Sequence, residues 1–275
     1  MKKLIKLLSA TLLGISLAIT LTACGNDDSV VRIGVTGAFN DHWAIIQELV
    51  AEEGITIELV SFSDFLTPNL ALNDRNIDLN AFQNRAFLIN DVAANNYQIE
   101  AIAETWIVPL NIFNNQSRIS SLADIRDGHT IAIPSDPVNY ARALRLLESA
   151  GLIRLNTPPG ELASELHIVE RIVNINIMPA ESGMLASMLP DLEAAVINGG
   201  NAFTAGLNPA HDSIFTEDVF SGDSDGLVNL VVARSEDMAN PERARIFNII
   251  VDAFRSEEVR QFVLDEYQGA FLPVW

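Results

Sequence analysis

Runs of alternating apolar and polar residues take turns with stretches of helical periodicity along most of this chain. Alternation with a period of two is typical of strands, and apolar residues three or four positions apart indicate amphipathic helices. We predict strands at 30–35, 55–62, 77–81, 99–112 (with a break at the proline), 129–133, 168–178, 194–198 and 228–233. We predict helices at 42–54, 65–73, 84–94, 136–150, 182–188, 241–256 and 257–267. This order predicts an α/β fold with parallel sheets covered by helices.

The best-defined local unit is a strand, turn and helix between residues 129 and 151. Asp136 is a good helix N-cap, Pro137 follows where its missing N–H costs nothing, and Gly151 is a natural stop. Between them, apolar residues recur at helical spacing, namely Ala141, Leu144, Leu147 and Ala150. A helix that begins at the carboxyl end of a strand presents free backbone N–H groups where open α/β folds bind ligands.

Two polar side chains, Asn139 and Arg142, lie in the first turns of this helix. They are three residues apart and therefore occupy adjoining parts of one helix face. An amide and a guanidinium beside a helix N-terminus suit a small carboxylate ligand. An ordinary capped helix that carries a surface arginine explains the same residues equally well.

The first 23 residues have the pattern of an export signal. Three lysines precede an apolar run from Leu7 to Leu21, which is too short and wrongly flanked for a stable membrane-spanning helix. The run ends in Leu-Thr-Ala-Cys, which resembles a bacterial lipobox and would make Cys24 the lipid-modified first residue of the mature chain. We therefore expect a lipoprotein signal peptide at 1–23, a tether at 24–29 and a lipid anchor on the extracytoplasmic face of the cell membrane. A plain secretory signal with an incidental cysteine is the alternative.

The charge of the mature chain is strongly one-sided. The full sequence has 17 basic and 36 acidic residues, and removal of the three signal lysines leaves 14 arginines, for a formal charge of −22. Nucleic acids and anionic lipid surfaces are therefore poor partners. A ligand carboxylate would need a specific arginine in this repelling field.

The sequence contains no pattern that predicts catalysis or metal binding. It lacks an HExxH motif, a P-loop, a GxSxG elbow and a complete GxGxxG fingerprint, and Cys24 is its only cysteine. The histidines are scattered, at His42, His129, His167 and His211. We assign them structural or surface roles and expect no metal, no cofactor and no catalytic residue. Binding without chemistry is the better hypothesis, because amides, arginine and aromatic residues dominate the loop–strand junctions.

Four blocks of sequence resemble the methionine-binding lipoproteins of bacterial ABC importers, the NlpA type. They occur in the order of that family and span the chain from about residue 31 to its C-terminus. The blocks are FSDFLTPNLALNDRNIDLNAFQ (62–83), TIAIPSDPVNYARALRLLESAGLI (130–153), EAAVINGGNAFTAGLNP (193–209) and VNLVVARSED (228–237). The resemblance implies a two-lobed fold like that of class II periplasmic binding proteins, with the ligand in a cleft between the lobes. It implies one lobe from 30–110 plus 226–275 and a second from 111–225.

The resemblance also implies a set of polar ligand contacts. Arg142 matches the arginine that is expected to clamp the ligand carboxylate, and Asn139 belongs to the same motif. A bidentate guanidinium contact in a dry cleft would orient a carboxylate strongly. Asn198 and Asn229 match asparagines that would bind the polar end of the ligand. A turn residue at Asn198 and a polar strand end at Asn229 are the structural alternatives.

The aromatic wall of the site departs from the family pattern. The family usually has tyrosines where this chain has Phe65 and Phe87, and a histidine where it has Asn84. Phe82 is retained, whereas Asn201 stands in place of the usual aromatic residue. Phenylalanines would still favour a thioether, although each could instead be an ordinary core residue.

Two further positions near the wall differ as well. Trp106 replaces a common histidine of the family, and Val108 replaces a common glutamate. Across the aromatic wall, two phenol hydroxyls and an imidazole are absent together, which removes several hydrogen bonds to the ligand. The residues that would bind the polar end of an amino acid match the family pattern, whereas selectivity for methionine in particular is less well supported.

The resemblance implies a lipoprotein that binds L-methionine or a similar apolar amino acid and delivers it to ABC permease and ATPase subunits. The same fold could bind a different small carboxylate or a short peptide. From another functional class, the chain could be a surface lipoprotein that acts as an adhesin or scaffold. An enzyme is the least supported reading, because no activated nucleophile or metal set can be named.

Overall fold

The computed structural model describes residues 29–37, 40–220, 224–267 and 269–275. The predicted signal peptide, Cys24 and residues 25–28 lie outside these ranges, so lipidation stays a prediction. No helix among the described residues is long and apolar enough to span a membrane.

The strands are β1 (Val30–Thr36), β2 (Thr56–Phe62), β3 (Leu79–Asn80), β4 (Ile99–Ile107), β5 (Leu110–Asn114), β6 (Thr130–Pro134), β7 (Ile153–Leu155), β8 (Ile168–Arg171), β9 (Asn176–Ala180), β10 (Ala194–Asn198), β11 (Ser213–Thr216), β12 (Val228–Arg234) and β13 (Leu272–Pro273). The α-helices are α1 (His42–Ala51), α2 (Thr67–Asn73), α3 (Arg85–Asn95), α4 (Pro137–Ser149), α5 (Leu185–Met188), α6 (Gly199–Thr204), α7 (Pro209–Asp212), α8 (Ser235–Met238), α9 (Pro241–Phe254) and α10 (Glu257–Glu266).

Two larger sheets organise these elements. The first has the strand order β13-β4-β12-β3-β1-β2, and the second has the order β11-β5-β10-β6-β9. Strands of the first sheet come from both ends of the described chain, whereas strands of the second come from its middle. The α/β class that was expected from the alternating pattern is confirmed.

The expectation of parallel sheets is wrong for part of each sheet, because both sheets are mixed. β1 pairs in parallel with β2 and β3, but β12 runs antiparallel to its neighbours β3 and β4. In the second sheet, β6 is parallel to β9 and β10, whereas β5 is antiparallel to β10 and β11. The physical reason is the route of the chain. β5 follows β4 directly, and β12 returns from the second sheet, so neither strand enters its sheet through the helical crossover that makes neighbouring strands parallel.

Several element boundaries also differ from the expectation. The strand predicted at 77–81 contains only the two residues of β3, and the helix predicted at 182–188 contains only α5. The stretch 168–178 divides into β8, which pairs with β7, and β9, which joins the second sheet. Short apolar runs such as β7 and β11 carry too little periodicity to be recognised without their pairing partners.

Helix α4 follows the predicted capping pattern closely. The side chain of Asp136 accepts a hydrogen bond from the backbone N–H of Asn139 at 2.9 Å, and Pro137 opens the helix. Gly151 ends it with φ +75°, a conformation that costs glycine little. Leu144 and Leu147 are completely buried in the core of the second sheet. The helix thus fixes its first turns, and Arg142 with them, against that sheet.

The two sheets pack against cores of different composition. Aromatic residues are prominent in the core of the first sheet, where Trp43, Phe247, Phe254 and Tyr267 are buried together. The buried residues of the principal core beside the second sheet are leucine, isoleucine, valine and alanine among the described residues. Each fully buried large side chain contributes roughly 1.5–3 kcal/mol of transfer free energy. The two cores fix the carboxyl ends of β1 and β6. They also fix the helices that follow these strands, and both together support the site.

Candidate ligand-binding site

A single cavity collects all nine residues that were predicted to contact a ligand. Its volume is about 890 Å³, which includes space open to solvent. Elements of both larger sheets contribute to its wall. The predicted residues in this wall are Phe65, Phe82, Asn84, Phe87, Asn139, Arg142, Asn198, Asn201 and Asn229. Other lining residues include Thr36, Asn40, His42, Gln83, Thr105, Trp106, Val108, Gly200, Phe254 and Phe271.

Arg142 reaches the cavity from α4, but its guanidinium is already heavily engaged. Its Nε and Nη2 donate to the two carboxylate oxygens of Glu217 at 3.2 and 2.6 Å. Nη1 donates to the side-chain oxygen of Asn139 at 3.2 Å, and Nη2 also donates to the carbonyl of Val108 at 3.3 Å. Of the five N–H groups of a guanidinium, these contacts leave one, on Nη1. The expected bidentate contact with a ligand therefore requires a change in the present hydrogen bonds.

Glu217 is the functional candidate that sequence reasoning missed. It follows β11 and lies behind Arg142, with about 15% of its side chain exposed. Its Oε2 also accepts the backbone N–H of Leu110 at 2.9 Å, and its own N–H donates to the carbonyl of Leu110 at 2.9 Å. The sequence around it, Thr-Glu-Asp, carries no signal that separates this carboxylate from the many others. Only the tertiary structure places it beside Arg142, 75 residues away.

Asn139 is fully engaged by protein neighbours. Its Nδ2 lies 3.2 and 3.1 Å from the two carboxylate oxygens of Asp136. Its Oδ1 accepts hydrogen bonds from Arg142 and from Nδ2 of Asn198, both at 3.2 Å. The structure therefore presents Asn139 as a residue that orients Arg142 and Asn198 within the cavity wall.

Asn198 and Asn201 carry unsatisfied polar atoms in the same wall. Asn198 ends β10 and Asn201 lies in α6, which starts immediately afterwards. Oδ1 of Asn198 and Nδ2 of Asn201 are buried and have no hydrogen-bond partner among the described residues. Buried polar groups without a partner cost roughly 1–3 kcal/mol each. One free acceptor and one free donor are thus available to a polar ligand.

The three phenylalanines form one continuous aromatic wall. The rings of Phe65 and Phe82 stack with centroids 6.1 Å apart, and Phe82 meets Phe87 edge to face at 5.9 Å. They come from the segment before α2, the β3–α3 connection and α3 respectively. Phe87 is buried, whereas the other two rings are partly exposed. This wall offers an apolar surface to a ligand side chain.

Asn84 and Asn229 meet at the edge of this wall. The side chain of Asn84 caps α3, since its Oδ1 accepts the backbone N–H of Phe87 at 2.8 Å. Asn229 lies in β12 and pairs with Asn84 through an isolated antiparallel bridge. Its Nδ2 makes one long contact, 3.4 Å, with the carbonyl of Leu227. Asn84 therefore has a structural task in helix capping, while the amide of Asn229 is only weakly engaged.

A buried amide network supports the aromatic wall from behind. Asn69, Asn80 and Gln83 are almost completely buried. Oδ1 of Asn69 accepts from Nδ2 of Asn80 at 2.9 Å and from Nε2 of Gln83 at 2.6 Å, and Nδ2 of Asn69 donates to Oε1 of Gln83 at 2.9 Å. Satisfied polar networks of this kind restrict the backbone to one conformation. The network thereby fixes the connection that carries Phe82.

His42 forms the floor of the cavity together with aromatic residues. Its ring lies edge-on to Trp106 at 5.0 Å and to Phe254 at 5.6 Å, and its Nδ1 is 3.0 Å from the hydroxyl of Tyr267. Burial lowers the pKa of His42 to about 3, so the imidazole is neutral near pH 7. Sequence reasoning assigned this histidine a structural or surface role. Its position at the start of the predicted helix 42–54 does not by itself indicate that it lines a cavity.

The described ranges contain no group of three or more His, Cys, Asp or Glu side chains arranged to hold a metal ion. The cavity instead offers one guanidinium, several amides, a neutral imidazole and aromatic surface. This combination can bind a ligand that has a polar, carboxylate-bearing end and an apolar side chain.

Comparison with known proteins extends these observations. The sequence profile of the NlpA lipoprotein family matches residues 31–275. An outer membrane lipoprotein of Mannheimia haemolytica is 35% identical over 257 residues, which cover 93% of this chain and 94% of that protein. The D-methionine-binding lipoprotein MetQ of Salmonella typhimurium is 34% identical over 265 residues, or 94% of each chain.

A solved structure shows the same fold. The substrate-binding protein of a methionine transporter from Streptococcus pneumoniae superimposes with a TM-score of 0.84 and 32% identity, over 90% of this chain and 96% of that one. The expected two-lobed binding-protein fold is thereby confirmed. The Salmonella and Streptococcus proteins are binding proteins by name, and the Mannheimia protein is named as a lipoprotein.

Proposed function

This chain belongs to the NlpA lipoprotein family, and we propose that it is the extracytoplasmic substrate-binding lipoprotein of an ABC importer. It binds L-methionine or a similar apolar amino acid in the cavity and delivers it to the permease and ATPase subunits. The observation that carries this proposal is the convergence of Arg142, two unsatisfied amides and a phenylalanine wall on one cavity.

The arrangement assigns each end of an amino acid to a different part of the cavity. The ligand carboxylate meets the remaining N–H of Arg142 and, after an adjustment of the Glu217 contact, a second one. The ammonium donates to the free side-chain oxygen of Asn198, and the side chain lies on the rings of Phe65 and Phe82. A thioether on these rings gains roughly 0.3–1.5 kcal/mol from sulfur–aromatic contact, which agrees with the methionine named in the relatives.

The proposal divides the chain into residues 30–110 plus 226–275 as one lobe and 111–225 as the other. Ligand binding brings the lobes together around the segments that connect them near residues 110 and 226, and closure removes the ligand from water. A signal peptide at 1–23 directs export, Cys24 is lipidated and residues 24–29 tether the lobes to the extracytoplasmic face of the cell membrane. The relatives named as lipoproteins support this location.

The replacement of Arg142 by alanine tests the proposed carboxylate contact. Loss of the charge partner is expected to weaken binding of L-methionine by roughly 2–5 kcal/mol, measured by isothermal titration calorimetry. Arg145→Ala is the matched control, because Arg145 lies on the same helix but pairs with Glu148 at 3.1 Å outside the cavity. Unchanged affinity in Arg142→Ala would remove this residue from the proposal.

Native mass spectrometry of protein purified without refolding tests the identity of the ligand. A retained mass equal to that of methionine supports the proposal, and titration with both enantiomers then establishes the stereochemical preference. A retained larger carboxylate or short peptide would replace methionine within the same function. No retained ligand and no thermal stabilisation by any amino acid would contradict amino-acid transport and favour a scaffold role.

A further inference from the structure

We propose that Glu217 determines the specificity of this site: its carboxylate neutralises Arg142 and thereby selects zwitterionic amino acids over anionic carboxylates of the same shape. This inference rests on the proposed function, because it takes the ligand carboxylate to bind beside Arg142. It identifies the residue that sets the charge of the ligand which the cavity accepts.

The first support is the inventory of charges around the cavity. Arg142 is the one formally charged side chain among the described lining residues, which include no aspartate or glutamate. His42 is neutral, because its burial disfavours the protonated ring. Without Glu217 the guanidinium of Arg142 would have no carboxylate partner among the described residues, and the site would favour small anions more strongly.

The second support is the fixed position of Glu217. Its two carboxylate oxygens form a bidentate pair with Nε and Nη2 of Arg142, at 3.2 and 2.6 Å. The backbone N–H of Leu110 holds Oε2 from the other side at 2.9 Å, and the backbone of Glu217 also donates to Leu110. Both side chains of the pair are mostly buried, at 12% and 15% exposure. The carboxylate of Glu217 is therefore held beside the guanidinium from behind the lining, and the two side chains together carry no formal net charge.

A neutral wall treats ligands of different charge differently. A zwitterion adds no net charge, and its ammonium finds both the free oxygen of Asn198 and the attraction of the nearby Glu217 carboxylate. An anion that lacks the ammonium places a second carboxylate beside Arg142 without a second cation, so it meets repulsion in a partly desolvated site. Net charge, in addition to hydrogen bonding, thus separates the two ligand classes.

Glu193 provides a matched control for this role. Its Oε1 pairs with Arg118 at 2.8 Å, and its Oε2 accepts the backbone N–H of Thr130 at 2.8 Å. It therefore makes the same two kinds of contact as Glu217, but neither Glu193 nor Arg118 lines the cavity. A substitution of Glu193 reports what the loss of a structural ion pair does to binding at a distance.

The test compares two ligands of nearly equal size by calorimetry on wild type, Glu217→Gln and Glu193→Gln. The ligands are L-methionine and 2-hydroxy-4-(methylthio)butanoate, in which a hydroxyl replaces the ammonium. We expect wild type to prefer methionine by at least about tenfold and Glu217→Gln to reduce this preference by about tenfold, because the unpaired Arg142 now favours the anion. Glu193→Gln should retain the wild-type preference.

Two results would overturn the proposal without touching the transport function. One is an unchanged preference in a folded Glu217→Gln protein, and the other is a wild type that binds the hydroxy acid as tightly as methionine. If the glutamine variant does not fold, Glu217→Asn carries the same comparison, and an unchanged preference there has the same meaning. A wild type that binds neither ligand would contradict the proposed function itself, and this inference with it.

Discussion

His42 should make the stability of this protein sensitive to acid. The residue is about 3% exposed, and its pKa is lowered to about 3 from an ordinary value of 6.5. In the unfolded chain the imidazole is free to take up a proton at its ordinary pKa. As the pH falls below about 6.5, the unfolded state therefore binds a proton that the folded state refuses, and the free energy of unfolding decreases until the pH reaches about 3.

The size of the effect follows from the difference between the two pKa values. Each pH unit in this window removes about 1.4 kcal/mol, so a change from pH 7 to pH 4.5 should remove about 2–3 kcal/mol through His42 alone. His42→Gln should lack this part of the loss, since glutamine is neutral and can still form a hydrogen bond with the hydroxyl of Tyr267. The difference in the free energy of unfolding between wild type and His42→Gln should thus be smaller at pH 4.5 than at pH 7.

The assay is urea unfolding followed by tryptophan fluorescence at both pH values. Trp43 and Trp106 lie 5.4 and 5.0 Å from the His42 ring, so the signal reports on this part of the core. His211→Gln is the control, because His211 is exposed, and it should follow wild type. A fall in stability between pH 7 and 4.5 that is equally large in His42→Gln and wild type would refute the reasoning.

Two further substitutions test the packing that supports the site, each by urea unfolding. Leu144→Ala should lower the free energy of unfolding by roughly 2–5 kcal/mol, because Leu144 is fully buried, whereas the half-exposed Leu264→Ala should cost much less. Gly199→Ala should cost roughly 1–3 kcal/mol, because its Cβ would lie 2.7 Å from Cγ1 of Val108. Gly226→Ala, with its nearest contact at 3.6 Å, is the control, and equal losses in either pair would contradict the packing argument.

Sequence patterns anticipated the parts of the site that depend on local structure. The Asp136–Pro137 start of α4 and its glycine stop are capping preferences, and they place Asn139 and Arg142 on one helix face whatever the rest of the chain does. The resemblance to a known family supplied the other candidates, and the structure brings all nine to one cavity.

Residue patterns alone therefore predicted the alternation of strands and helices and the capped helix that carries Asn139 and Arg142, because periodicity and capping act over short distances along the chain. Only the tertiary structure decided the antiparallel course of β5 and β12, the position of His42 beneath the cavity and the pairing of Arg142 with Glu217. These depend on groups that are distant in sequence, and nothing in their local surroundings specifies the partner. The electrostatic surroundings of Arg142 are consequently a property of the folded chain, since its carboxylate partner is 75 residues away in sequence.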